Sequence, residues 1–130
     1  MDLRVTSGVI ATLLEEAARA APEECCGLLL GRDGAVTEAR LAANVAEDRT
    51  RHFEIDPAAL LWAHKEARGG GAELLGYFHS HPEGHPVPSA TDCEHASGDA
   101  RVWAIIAGGE VKFWRDGEGG FREMRASIVD

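Results

Sequence analysis

Apolar and polar positions along the chain switch between short strand-like runs and helical spacing. Leu3 to Thr6 predicts a short strand. Ser7 can cap a helix that starts near Gly8, on which Val9, Ile10, Leu13, Leu14 and Ala17 share one face; Pro22 lies beyond its end. Cys25 to Gly31, centred on Leu28-Leu29-Leu30, is a compact apolar run of the kind found in strands buried on both faces. Asp33-Gly34 supplies a turn, and Ala35 to Leu41 returns as the hairpin partner. Asn44 to Arg51 is polar and predicts a loop, followed by a short strand at Phe53 to Ile55.

Asp56-Pro57 is a strong helix start, with an N-cap acceptor followed by proline at the first helical position. This helix carries Leu60, Leu61 and His64 on one side and stops at Gly69-Gly70-Gly71. Leu74 to Ser80 is the next strand. The loop from Pro82 to Pro88 precedes a short helix opened by Pro88-Ser89 and reaching about Ser97. Strands follow at Val102 to Ala107, Val111 to Arg115 and Phe121 to Ile128, with Gly108-Gly109 turning between the first two. Neither an internal repeat nor a linker divides the sequence, so residues 1–130 are expected to form one domain. The order of elements predicts an α/β (α+β) fold: a single mixed sheet flanked by helices.

Composition narrows the function classes. Apolar residues make up 45% and charged residues 27%, the balance of an ordinary globular protein. Asp and Glu outnumber Lys and Arg by 22 to 13, a formal charge of −9. So acidic a surface repels phosphate backbones, which argues against nucleic acid and favours a basic peptide or protein partner. The three cysteines form no even, spaced framework, and Cys25 and Cys26 are adjacent, which suits a reducing compartment. No apolar run approaches the ~20 residues of a membrane span. Met1-Asp2-Leu3-Arg4 lacks the order of a signal peptide. A cytoplasmic location is expected, without membrane contact; oligomeric state is not readable.

The chemistry concentrates between His79 and Asp92. Residues two apart on a strand project to one face, so His79 and His81 point the same way, with Leu75 and Tyr77 preceding them there. Two imidazoles so placed can converge on one metal, and Asp92, in the first turn of the next helix, can add an anionic third ligand. Two histidines, one carboxylate and an open position describe catalytic rather than structural zinc. A zinc-activated water also needs a proton acceptor. Glu24 stands at the entrance of the buried Cys25–Gly31 strand, where packing calls for no charge; if that strand neighbours the His79 strand, Glu24 can serve as general base. The Ser89 hydroxyl can donate to the oxyanion of the tetrahedral intermediate.

Each feature also has an ordinary explanation. Ser89-x-x-Asp92 alone is better explained as a helix capping box, although Ser89 can cap the very helix that presents Asp92. Glu24 alone is a surface carboxylate, and a lone H-x-H is weak evidence for metal. Cys25, Cys26 and Cys93 fit small buried hydrophobes. Trp62, Trp103 and Trp114 fit packing positions. His52, His64 and His95 fit surface or packed side chains, whereas His85 could compete for the metal or touch substrate.

Taken together, these residues resemble the JAMM metalloprotease family, the catalytic form of the MPN domain. Its pattern is a glutamate on an early strand, then H-x-H, seven residues, S, two residues and D. Here that is Glu24, His79-Ser80-His81, Pro82 to Pro88, Ser89 and Asp92, without gaps. Glu24-Cys25-Cys26-Gly27-Leu28-Leu29-Leu30-Gly31 is similar to the family's E-x-C-G-L-L-x-G strand, and His52-Phe53-Glu54-Ile55-Asp56-Pro57 to the segment leading into its second helix.

The resemblance implies a JAMM/MPN-like fold and a zinc peptidase or isopeptidase. It would cut an amide bond at the C-terminal tail of a ubiquitin-like protein. His79, His81 and Asp92 would ligate zinc, Glu24 would be the base, and Ser89 would steady the oxyanion. The short chain resembles small bacterial-type members, for which a ubiquitin-like sulfur-carrier protein is the implied substrate, released from cysteine or from a C-terminal extension. Two other readings share parts of the pattern. A non-catalytic MPN scaffold typically lacks one or more metal ligands, and all are present here. A RadC-like domain carries a similar H-x-H-P stretch, but the Glu24 strand and the −9 charge argue against it. A zinc nucleobase deaminase needs H-x-E and P-C-x-x-C, and neither occurs.

Overall fold

A computed structural model describes residues 3–130. The Met1-Asp2 part of the N-terminal tetrapeptide lies outside the described residues. In chain order the elements are β1 (Leu3–Thr6), α1 (Ser7–Ala20), β2 (Cys26–Arg32), β3 (Ala35–Ala42), α2 (Pro57–Arg68), β4 (Glu73–Ser80), α3 (Ala90–His95), β5 (Val102–Ala107), β6 (Glu110–Gly117), β7 (Gly120–Met124) and β8 (Ala126–Val129). The strands form one mixed sheet in the order β7-β6-β5-β4-β2-β3-β1-β8. This is the mixed sheet with flanking helices that the sequence predicts.

Consecutive strands β7 and β8 stand at opposite ends of that order, yet only Arg125 separates them in the chain. The two ends of the sheet therefore lie side by side, and the sheet curls around α1. Val9 and Leu13 of α1 are buried inside the curl with Val5, Leu29, Val36, Phe78, Ala104, Ile106 and Phe113. Ile10, Leu14 and Ala17 pack at its margin, so the predicted helical face is the one that meets the core. Each large side chain removed from water in this cluster stabilises the fold by ~1.5–3 kcal/mol. The opposite, outer face carries a smaller cluster of Leu28, Leu30, Ala63 and Leu74 beneath α2. Thus β2, buried along almost its whole length, serves both clusters.

Several local expectations shift. Thr6, not Ser7, caps α1, its hydroxyl accepting from the Val9 N–H. Phe53 to Ile55 makes only an isolated bridge, Ile55 to Asn44, and no strand. The predicted strand from Phe121 to Ile128 breaks at Arg125, because its two halves pair with partners at opposite ends of the sheet. On α2 the buried residue is Ala63, with Ala59, Leu60 and Trp62 packed around it; Leu61 is 57% exposed and His64 is exposed. Cys25 and Cys26 are buried, but Cys93 is exposed.

One irregularity bears on the site. Leu29 faces Gly76 across the β2–β4 ladder but Leu30 faces Leu74, so Leu75 has no partner and forms a bulge. It packs against the inner cluster, whereas Leu74 and Tyr77 belong to the outer one. Leu75 therefore does not share a face with Tyr77, His79 and His81. Beyond the bulge, β4 runs beside parallel β5 so closely that a Cβ on Gly76 would lie 1.8 Å from the Val102 carbonyl oxygen.

Candidate metal centre and active site

β4 lies between antiparallel β2 and parallel β5. A parallel neighbour requires a crossover, and here residues 81–101 provide it, carrying Ser89, the N-cap of α3, and Asp92, in its first turn, back to the end of β4. His79 pairs in register with Cys26 and Ile105. The ladder continues one step past the strand, where the His81 N–H donates to the Ile106 carbonyl at 2.8 Å. Both imidazoles are thus fixed by the backbone of the central sheet.

Asp92 arrives through the capping box that Ser89-x-x-Asp92 predicts. The Ser89 hydroxyl accepts from the Asp92 N–H at 3.1 Å, and Asp92 Oδ2 accepts from the Ser89 N–H at 2.9 Å. The same Oδ2 lies 3.1 Å from His79 Nε2 and 3.2 Å from His81 Nε2, and the two Nε2 atoms are 3.1 Å apart. Capping and metal binding are therefore one arrangement.

This triangle fits a metal ion better than it fits a hydrogen-bond network. The His81 Nδ1–H donates to the His85 carbonyl at 2.9 Å, so in neutral His81 the Nε2 is a lone pair. That lone pair faces a carboxylate oxygen and a second imidazole nitrogen, an arrangement a cation relieves. Three donors around a tetrahedral ion at ~2.0–2.1 Å lie about 3.3 Å from one another, close to the spacings here. The three residues form the one candidate metal cluster among those described.

Ionisation follows from the same packing. Burial pushes His79 down, against its contact with Asp92. Burial also disfavours charge on His81 and on Asp92. For His81, hydrogen bonding to Asp92 and to the His85 carbonyl outweighs burial and raises the imidazole. For Asp92, hydrogen bonds from both histidines outweigh it and hold the carboxyl well below the usual carboxylate range.

Glu24 enters from the segment that leads into β2. Ser80, between the two histidines, faces the other way: its Oγ accepts from the Cys25 N–H at 2.9 Å, and its own N–H donates to the Cys25 carbonyl at 3.1 Å. That clasp holds the residue before β2 against the end of β4. Glu24 is only 7% exposed, and burial raises its carboxyl to about 7, with His81 opposing and Asp92 reinforcing the shift. The surface-carboxylate explanation fails for it. Glu24, His81 and Ser89 line one cleft of about 620 Å³, together with Arg51, His85 and Pro88.

The structure thus gathers all five predicted residues at one end of β4. It adds others that sequence reasoning assigned elsewhere or missed. Phe53 stacks on the His79 ring, centroids 4.1 Å apart and planes 15° apart, and Trp103 meets that ring edge-on at 5.6 Å. The Trp114 indole donates to the Pro86 carbonyl at 3.1 Å, anchoring the loop whose next-door His85 carbonyl orients His81. The buried Asp116 accepts from the Ser97 N–H at 3.0 Å and steadies the crossover's return. The only sequence signal for Phe53 was its place in the segment before α2.

A curled mixed sheet with a His-His-Asp cluster where its central strand meets a crossover helix defines a JAB/MPN-type metal-site domain. Residues 6–117 match the family described as prokaryotic homologs of the JAB domain, and the chain belongs to that family. It is similar to a desampylase of Haloferax volcanii, 40% identical over 95 residues, which are 72% of this chain and 68% of that protein. It is also similar to a "Probable TtuB-protein conjugate cleaving protease" of Thermus thermophilus, 35% identical over 94 residues, which are 72% of this chain and 63% of the relative. Among solved structures, a Desulfitobacterium hafniense protein matches with a TM-score of 0.86 at 31% identity, covering 98% of this chain and 93% of that one. The chain is a hydrolase of the JAMM type.

Proposed function

We propose that this protein is a zinc peptidase or isopeptidase that cuts the amide bond at the C-terminal tail of a ubiquitin-like protein. The observation that carries the reading is the His79–His81–Asp92 triangle opening onto a cleft that Glu24 and Ser89 line. The names of the Haloferax and Thermus relatives support a conjugated small protein as substrate. A sulfur-carrier protein, released from cysteine or from a C-terminal extension, is the form we favour.

His79 Nε2, His81 Nε2 and Asp92 Oδ2 would hold the ion. Zinc in that position supplies Lewis acidity, making water a usable nucleophile near neutral pH and polarising the scissile carbonyl. Glu24, with a carboxyl raised to about 7, is matched to take the proton from the attacking water and return it to the leaving amine. Ser89 Oγ accepts from the Asp92 N–H, which leaves its own hydrogen free to point into the cleft toward the developing oxyanion. The His81 ring is kept in one tautomer by the His85 carbonyl, so the backbone of His85 serves the site. A slim, extended tail suits the cleft, and a basic or tail-proximal patch on the carrier would suit the −9 chain. Reducing conditions, and hence the cytoplasm, fit the free cysteines.

The test is cleavage of a carrier–cysteine adduct and a carrier–lysine conjugate by purified, zinc-loaded protein, beside Glu24→Ala. Cleavage by the wild type, lost in Glu24→Ala with zinc retained, supports the reading. Stoichiometric zinc with every tail left intact overturns the substrate class. Failure to bind zinc overturns the mechanism and favours a scaffold.

A further inference from the structure

Asn44 belongs to none of the motifs above, yet its side chain uses its full hydrogen-bonding capacity. Nδ2 donates to the Glu24 carbonyl at 3.0 Å and to the His52 carbonyl at 3.1 Å. Oδ1 accepts from the N–H groups of Ala46 and Glu54, both at 3.0 Å. The partners lie on three stretches of chain: Glu24 in the segment leading into β2, the segment before α2, and the turn following Asn44 itself. Half-buried Asn44 is the point where the three meet.

Two of those stretches carry chemistry. One presents Glu24 to the cleft. The other has Asn44 bonded to His52 and Glu54, and Phe53 between them lays its ring flat on His79. His79 Nδ1 has no hydrogen-bond partner among the described residues, so no polar contact orients that ring from behind. Orientation falls to Phe53, with Trp103 at the edge. Further backbone bonds close the same frame: Glu24 N–H to the Arg49 carbonyl at 2.7 Å, Val45 N–H to Glu54 at 2.8 Å, and Asp56 N–H to Ala43 at 3.1 Å. No other short side chain can replace an amide here, because two donors and two acceptors are needed at once. Aspartate keeps the acceptors, loses both donors and adds a charge beside Glu24.

We infer that Asn44 is a positioning residue that locks the Glu24 backbone and, through Phe53, the His79 ring into one frame. The inference rests on the metal-hydrolase reading above and adds to it a residue that touches neither metal nor substrate. Polar groups behind a metal site commonly control affinity and turnover by ~10–100-fold when removed. In this protein that role passes partly through an aromatic ring.

The experiment compares wild type, Asn44→Ala, Phe53→Leu and the double variant. Zinc affinity is measured without substrate, by competition with a chromogenic chelator. Alongside it are read kcat, KM, the unfolding midpoint and amide exchange at Ala46 and Glu54. In Asn44→Ala we expect zinc affinity and kcat each to fall ~10–100-fold, with KM within about threefold and the two amides exchanging faster. The double variant should bind zinc about as weakly as Phe53→Leu alone, because both changes act along one route. Losses in zinc affinity that simply add would overturn the route through Phe53. An Asn44→Ala protein of lowered midpoint, with zinc affinity and kcat within about twofold of wild type, would overturn the inference. Should Asn44→Ala not fold, Asn44→Asp is read by the same criteria. Wild-type protein that binds zinc but cleaves no carrier tail refutes the proposed substrate, while the zinc-affinity cycle still decides the role of Asn44.

Discussion

Phe78 and His79 are neighbours on β4, both fully buried, and they are buried for opposite reasons. Phe78 faces the curl around α1, where every contact removes carbon from water. His79 faces outward into a pocket whose other walls include a carboxylate, a second imidazole and the ring of Phe53. The inner face stabilises the fold by itself. The outer face at that end of β4 gathers groups that are uncomfortable together unless a cation joins them. The comparison shows that complete burial in one strand can mark either a core or a binding centre, and polarity decides which.

The largest effect expected on the outer side is catalytic. Glu24→Ala should lower kcat/KM by ~10²–10⁴-fold while zinc stays at the wild-type level, measured by metal analysis beside conjugate cleavage. Unchanged turnover would remove Glu24 from the base role. Next comes the neighbouring pair itself. Phe78→Ala should cost ~3–5 kcal/mol through the cavity it leaves, yet still bind zinc. His79→Ala should lose zinc. A chelator titration followed by thermal unfolding separates them: metal removal should lower the midpoint of wild type and Phe78→Ala and leave that of His79→Ala unmoved. A chelator response in His79→Ala would dissolve the distinction between the faces.

A smaller effect tests the ionisation of Glu24 in metal-free protein. Folding raises this carboxyl from 4.5 to about 7, so between those values the folded state holds more protons than the unfolded one. Its contribution is whole below pH 4.5 and is lost as pH rises through 7. Glu24→Gln should therefore stabilise chelator-treated protein by ~1–3 kcal/mol at pH 8, with the gain shrinking toward pH 5. Denaturant melts at the two pH values check this, and a gain that grows toward acid would reverse the assignment. The smallest effect is on the outer side of α2. Leu61→Lys should change stability by under ~0.5 kcal/mol, since that side chain is largely exposed, whereas Ala63→Lys should prevent α2 from docking.

The legible part of the site was the part fixed by local spacing. His79 and His81 follow the two-residue period of a strand, and Ser89 and Asp92 follow the first turn of a helix; each pair needs nothing from the rest of the chain. Glu24 is legible as an odd charge at a strand entrance and through its match to the family's early-strand glutamate, and only the β2–β4 pairing brings it across to the histidines. Features that depend on register between distant segments were not readable. The bulge at Leu75 arises because Leu29 and Leu30 skip a residue of β4, and nothing in Leu74-Leu75 itself distinguishes the two. The break at Arg125 reflects which strands were free to accept each half. Asn44 looked like a loop polar residue because its partner Glu24 lies twenty positions away in sequence. The fold class, by contrast, follows from the order of elements, and the ends of β2, β4 and β5 fall within a residue or two of where the apolar runs place them.

The single residue between β7 and β8 has a consequence for how the molecule comes into being. β1 is flanked by β3 only at Arg4 and Val5, while β8, from the far side of all the other elements in the chain, pairs with it from Leu3 to Thr6. Until β8 docks, β1 therefore keeps one edge unpaired, and an unpaired edge is a template for other chains. Pairings of such long sequence separation also slow folding. Protein cut after Met124, and so without β8, should associate with its neighbours more readily than protein that keeps β8, as sedimentation of the two would show.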